Sequence, residues 1–162
     1  MTSPTSPSSR LDELGIALPA VAPPGGSYLP ARRSGSLVFT AGQVPFVDGS
    51  LAATGKVGAG VTAEEAKGLA GVCALNALAA IDALVGIDAV VGVVKVVVFV
   101  ASAPGFGGQP GVANGASDLL AQIFGDAGKH ARSAVGAAEL PLDAPVEVEL
   151  VVEVSTNATD ER

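Results

Sequence analysis

Tryptophan is absent, tyrosine, cysteine, histidine and methionine each occur once, and aromatic residues make up only 4% of the 162 positions. A core without large rings must be filled by Ala, Val and Leu, so its stability has to come from extensive apolar burial at roughly 25 cal/mol per Å². The single Cys73 excludes an intramolecular disulfide framework and, mid-helix among apolar neighbours, reads as inert packing. No His and Cys cluster has ligand spacing, so no metal is expected. Positive charge is scarce as well: nine Lys and Arg face sixteen Asp and Glu, a net charge of -7. That is the wrong sign for holding a phosphate backbone by counterion release, which argues against nucleic acid as a partner. The first residues, "MTSPTSPSSRLDEL", lack a basic stretch followed by an apolar run, so no secretory leader is expected and a cytoplasmic location follows. The most apolar window, Ile87 to Ala103, contains Asp88 and Lys95 and is too short for a membrane span; it reads as core.

What the chain has in abundance is aliphatic surface: 49% hydrophobic residues and a mean hydropathy of +0.51. One small domain can hide one core of this kind, and the remaining apolar area favours self-association. Residues 1–10 are rich in Ser, Thr and Pro and are expected to be a disordered tail, with a single domain over 11–156 and a C-terminal tail over 157–162. "YLPA", a turn at "RRSG" and "SLVFTAG" read as paired strands, followed by a turn at "VDGS" and a short return strand "LAAT".

Thr62 followed by Glu65 has capping-box spacing and opens a helix running to Gly86. On a helical wheel Leu69, Val72, Cys73, Ala80 and Leu84 share a face, with Asn76 at its middle. "VVGVVKVVVFVA" reads as a central strand covered on both sides. The loop "SAPGFGGQPG" has neither Walker nor dinucleotide spacing; it reads as mobile and leads to a second helix from Val112 to Phe124. "ARSAVGAA" is a strand, "ELPLDAP" a connection, and "VEVELVVEV" a final strand with Val146, Val148, Leu150, Val152 and Val154 on one side and Glu147, Glu149 and Glu153 on the other. The sum is an α+β fold: one mixed sheet with two helices on one face and the other face uncovered.

Arg132 lies among alanines in an apolar strand and cannot shed its charge, so it needs a carboxylate. Two kinds of partner fit: an internal Glu147 or Glu149, or the carboxylate of a ligand. The three glutamates likewise read either as a solvated face or, in a cleft, as groups able to move protons. His130, two residues before Arg132, reads as a rim residue, and Asn76 and Asn114 as satisfied core or helix-end amides, either of which could instead reach a ligand.

"LVFTAGQVP", "ALNALAAIDALVG", "VVKVVVFVASAPGF", "VANGASDLLAQIFG" and "ARSAVGAAELPLDAPVEVELV" together resemble the YjgF/RidA family of reactive-intermediate deaminases, also labelled endoribonuclease L-PSP or translation inhibitor. The likeness runs from Tyr28 to Val154 and is nearest to an actinobacterial-type subgroup; the Arg-Ser pair, the Leu-Pro turn and the Glu-bearing strand are its most specific part. It implies a chorismate-mutase-like subunit in a homotrimer with intersubunit clefts and no cofactor, hydrolysing 2-imino or enamine acids to 2-keto acids and ammonia. By the resemblance Arg132 clamps the substrate carboxylate and Glu147 holds or activates the water. Gly42 with Ala41 lines the cleft, Tyr28 closes it, and Ser133, Ala134 and Asn114 complete the binding set. Three features depart from the family: Ala134 stands where Cys is frequent, His130 where Pro is common, and the loop after the central strand is longer. They leave a second expectation, a trimer that binds a carboxylate metabolite without turning it over, and a third, a ribonuclease, which the net charge disfavours.

Overall fold

Ser6 followed by Pro7 is a helix start and Gly15 a helix stop, and in the computed structural model these bound a first helix, α1 (Pro7–Leu14). The structure describes residues 5–159. The Ser6 hydroxyl accepts from the Ser9 N–H, Gly15 closes the helix at φ 67°, and Leu11 is buried. Ser8 donates from its N–H and hydroxyl to the Asp88 carboxylate (2.8 and 2.6 Å), and Arg10 Nε donates to the Gln122 carbonyl (2.9 Å). The disordered tail expected over residues 1–10 is therefore corrected from Pro7 onward; residues 1–4 and 160–162 lie outside those described.

The first hairpin is β1 (Ala31–Ser34) and β2 (Leu37–Thr40), shifted from the expected one. Arg32 and Arg33 lie in the strand, not the turn, because the reversal falls at Gly35 and Ser36, where Gly35 takes φ 62°. Asp48 and Gly49, both at positive φ, make the tight turn between β3 (Phe46–Val47) and β4 (Ser50–Leu51).

α2 (Ala63–Val85) begins with the capping box read from the sequence: the Glu65 N–H donates to Thr62 Oγ1 (3.1 Å) and the Thr62 N–H to Glu65 Oε2 (2.7 Å). Its length and mean hydropathy of 1.9 would suit a membrane span, yet its apolar side is packed against the sheet and a second long helix. The buried stripe is Ala66, Ala70, Cys73, Ala77, Leu78 and Ile81; Leu69, Val72 and Leu84 are only partly buried. The wheel put weight on the larger residues, whereas small ones win the interface because they let backbones approach. A Cβ on Gly115 of α3 (Gln109–Phe124) would lie 1.8 Å from the Lys67 carbonyl oxygen.

β5 (Val90–Ala101), β6 (Ala131–Ala137) and β7 (Val146–Val154) complete a five-stranded sheet of order β1-β2-β7-β5-β6. β5 and β6 are parallel, joined by α3, a connection long enough for such a pair; every other pair is antiparallel. β5 is interior as read, between β7 and β6, but it is not covered on both sides, since Val91 and Val94 are exposed; β7 takes the middle and β6 is an edge strand. β7 alternates as read: Val146, Val148, Leu150, Val152 and Val154 are buried under the helices. α2 and α3 pack together over that side, and α1 lies against α3. The opposite face, with Phe39 and Val135 exposed, carries no covering element among the described residues. α3 begins at Gln109, earlier than expected, and the loop before it is tied down: Phe106 packs on the core, and Gln109 Nε2 donates to the Phe106 carbonyl (2.8 Å) and Ser102 Oγ (3.1 Å).

Candidate functional site

Directly paired residues of neighbouring strands point to the same face, so the register decides which candidates can meet. Glu147 pairs with Phe99 of β5, which pairs with Val135 of β6; these three lie on the open face. Arg132 pairs with Val96, which pairs with buried Leu150, so Arg132 points to the helix side. Glu149 lies opposite Val97 and thus also on the open face. The internal ion pair between Arg132 and Glu147 or Glu149 is corrected: β5 separates the strands and the side chains leave opposite faces of the sheet. Nor is Arg132 in a buried strand, since β6 is an edge and the residue is half-buried.

The structure instead gathers the predicted residues into two groups. Around Glu147 a cleft of about 410 Å³ brings together Gly42, Gln43, Tyr28, Leu142 and the Pro23-Pro24 strap. Gln43 and Val148 exchange backbone hydrogen bonds (2.8 and 2.9 Å), which sets Gly42 directly against Glu147. A Cβ on Gly42 would lie 1.9 Å from Glu147 Oε1, so only glycine leaves the carboxyl its place. Burial, and secondarily the charge of Glu149, pushes the Glu147 carboxyl above the usual carboxylate range. Tyr28 is on the rim, its phenol oxygen accepting from the Gly25 N–H (3.0 Å). Ala41 does not line the cleft; its N–H goes to the Pro30 carbonyl (2.8 Å). At the Leu-Pro turn Leu142 and Asp143 both take left-handed φ (60° and 58°), and Leu142 is 66% exposed on the cleft wall. A branched residue held in that conformation is strained, a feature that clusters at ligand sites.

Asn76, read from the sequence as a satisfied core amide or a ligand contact, is the former and supports this cleft from below. Its Nδ2 donates to the carbonyls of Val44 and Phe46 (both 3.1 Å), pinning the segment that follows Gly42. Cys73 is buried beside β7, its Sγ donating to the Val146 carbonyl (3.7 Å). Burial, with a smaller push from Glu147, raises its thiol well above normal, and an uncharged buried thiol is unreactive.

The second group surrounds Arg132. Its Nη1 donates to Asn114 Oδ1 (2.7 Å) and Ser117 Oγ (3.1 Å), and its Nη2 to the Pro110 carbonyl (3.3 Å), all on α3. No carboxylate pairs with it among the described residues. A guanidinium has five N–H donors; three are used, leaving the Nε–H and one Nη2–H, the number a bidentate carboxylate takes. Asn114 is thus brought to Arg132, while Ser133 points to the open face opposite Val97 and Ala134 packs towards the core. His130 is more than a rim residue: Nε2 lies 2.9 Å from Ser117 Oγ and Nδ1 lies 2.6 Å from the Gly128 carbonyl oxygen. Ser117 was not singled out from the sequence, where a serine in mid-helix carries no signal. No group of three or more His, Cys, Asp or Glu side chains converges among the described residues.

A mixed sheet with helices on one side and polar groups at its open face and at one edge defines a chorismate mutase-like subunit. The chain belongs to the YjgF/chorismate mutase-like family, described as a candidate endoribonuclease family, which it matches over residues 8–154. It is 44% identical to Protein TCP17 of Trypanosoma cruzi over 149 residues, 91% of this chain and 93% of that one. Among solved structures it is similar to Atu1372 of Agrobacterium tumefaciens, a protein of unknown function, at 40% identity and a TM-score of 0.82, covering 92% of each chain. It is also similar to a candidate endoribonuclease of Shewanella oneidensis at 33% identity and a TM-score of 0.88, covering 92% of this chain and 99% of that one.

Proposed function

We propose that the protein is an imine and enamine deaminase, hydrolysing small 2-imino acids to 2-keto acids and ammonia in clefts between the subunits of a cytoplasmic homotrimer. The observation that carries this reading is Arg132: a guanidinium held by three neutral acceptors, without a carboxylate partner, and with two donors unused. Such a fork matches a planar carboxylate in geometry and charge. The imine carbon next to that carboxylate is already electrophilic. Water adds to it as the nitrogen takes up a proton; the C–N bond of the resulting carbinolamine then breaks, ammonia leaves, and the oxygen becomes the keto group. One water is consumed and no oxidant is needed. Glu147 suits the proton transfers, because burial raises its carboxyl above the usual range and so favours a group that can accept a proton from water and donate one to nitrogen.

Arg132 and Glu147 leave opposite faces of one sheet, so a site using both draws them from different copies of the chain. The uncovered face, with Phe39 and Val135 exposed beside partly buried Val97 and Phe99, offers apolar area for such packing. Ala134 favours one second reading, a carboxylate binder without turnover, since it offers no proton donor or nucleophile next to Arg132. A ribonuclease is disfavoured by the net charge of -7.

Imines generated by an amino-acid oxidase test the assignment. The protein should speed keto-acid release, and Arg132→Ala should lower kcat/KM about 10²-fold or more. Release no faster than the uncatalysed rate, or equal with Arg132→Ala, contradicts deaminase activity; a thermal shift with a 2-keto acid but no turnover would instead favour the binder.

A further inference from the structure

We infer that Ser117 and His130 are positioning residues for Arg132, forming a one-way hydrogen-bond relay that holds the guanidinium with its free donors available to a carboxylate. The inference rests on the reading of Arg132 as a carboxylate clamp and assigns two residues to which that reading gives no role.

With the imidazole neutral, hydrogen-bonding capacity fixes every direction in the relay. The Gly128 carbonyl can only accept, so His130 Nδ1, 2.6 Å away, carries the ring proton. In the neutral ring carrying that proton, Nε2 can only accept, so the Ser117 hydroxyl donates to it across 2.9 Å. With its proton committed to the imidazole, Ser117 Oγ presents a lone pair to Arg132 Nη1, which can only donate, at 3.1 Å. A hydroxyl free to rotate could turn its proton towards the guanidinium and repel it; here the imidazole removes that choice.

The far end of the relay is rigid. Gly128 is buried, and a Cβ there would lie 2.5 Å from the Leu120 carbonyl oxygen, so the turn carrying the accepting carbonyl is pressed against α3. Ser117, Asn114 and Pro110 belong to that same helix, so both ends of the network are referred to one rigid element. Arg132 otherwise extends from an edge strand and is only half-buried. A long side chain left to sample rotamers must be ordered when ligand binds, and ordering it beforehand strengthens binding. The expected signature is therefore in affinity and KM, with kcat little changed, and the two residues should act in series.

The test uses the full chain with pyruvate as probe, measuring its Kd by calorimetry and the KM and kcat for oxidase-generated imines. Ser117→Ala and His130→Phe should each raise Kd and KM about five- to tenfold, the size of one ordinary net hydrogen bond, because the variants loosen Arg132 without removing its own contact to the ligand. The double variant should be no worse than either alone. His130→Gln, whose amide oxygen can accept from Ser117, should recover most of the loss, and Ser117→Ala, which removes one oxygen from a partly exposed position, should leave the melting temperature near that of the parent. Pyruvate binding that needs Arg132 but is unchanged in Ser117→Ala and His130→Phe overturns the relay and leaves the clamp standing. Binding that is absent, or unaffected by Arg132→Ala, overturns both.

Discussion

The surroundings of Glu147 and of Arg132 are built on opposite principles. Glu147 is tuned by what is withheld from it: an apolar strap and turn half-bury it, no cation among the described residues pairs with it, and its carboxyl is pushed up. Arg132 is tuned by what it is given: three neutral oxygens on one helix that fix its orientation without cancelling its charge. Desolvation suits a group that must exchange protons, whereas ordered, uncharged acceptors suit a group that must stay charged and aimed. The difference explains why the two need not be neighbours in one subunit, because each is preorganised by its own local scaffold.

The largest expected break in this contrast is on the Glu147 side. Gly42→Ala puts a methyl group where Glu147 Oε1 lies, 1.9 Å from the carboxyl oxygen, and the atom displaced is the end of a flexible side chain. Deaminase activity should fall about 10²-fold while the fold and the Kd of pyruvate at the Arg132 side hardly change. Loss of both together would show that the two regions are one unit. A smaller effect concerns pH. Because the folded pKa of Glu147 lies above its ordinary value of 4.5, the folded state keeps this proton longer than the unfolded chain does. Its contribution to stability is complete below the ordinary value and is lost as pH rises through the raised one. The melting temperature of the parent relative to Glu147→Gln should therefore decline across that interval, by about a degree or two once solvent screening of a half-exposed carboxylate is allowed for. A difference that rises with pH would contradict the cause assigned to the shift.

Local signals in the sequence were sufficient for most of the fold. The Thr62–Glu65 box and the two-residue alternation of β7 each depend on a few adjacent residues, and each is present as read. α1 was missed because its Ser-Pro start and Gly stop enclose only eight residues amid proline and serine, and its hold on the core comes from distant Asp88 and Gln122. The grouping of site residues was legible in part. Gly42 meets Glu147 and Asn114 meets Arg132, but nothing between positions 132 and 147 encodes that the two side chains leave opposite faces. That is set by strand order and by the register of β5 with both β6 and β7, which are non-local. Ser117 was invisible for the same reason: its partners come from another element across the fold.

The central claim is that one working site takes Arg132 from one copy and Glu147 from another, and subunit mixing tests it most directly. Arg132→Ala and Glu147→Gln proteins, each inactive alone, would be unfolded together in equal amounts, refolded and assayed. Random assembly in a closed ring leaves about one quarter of the clefts with both native groups, so activity near that fraction of the parent's should return. A mixture as inactive as its components would contradict the claim.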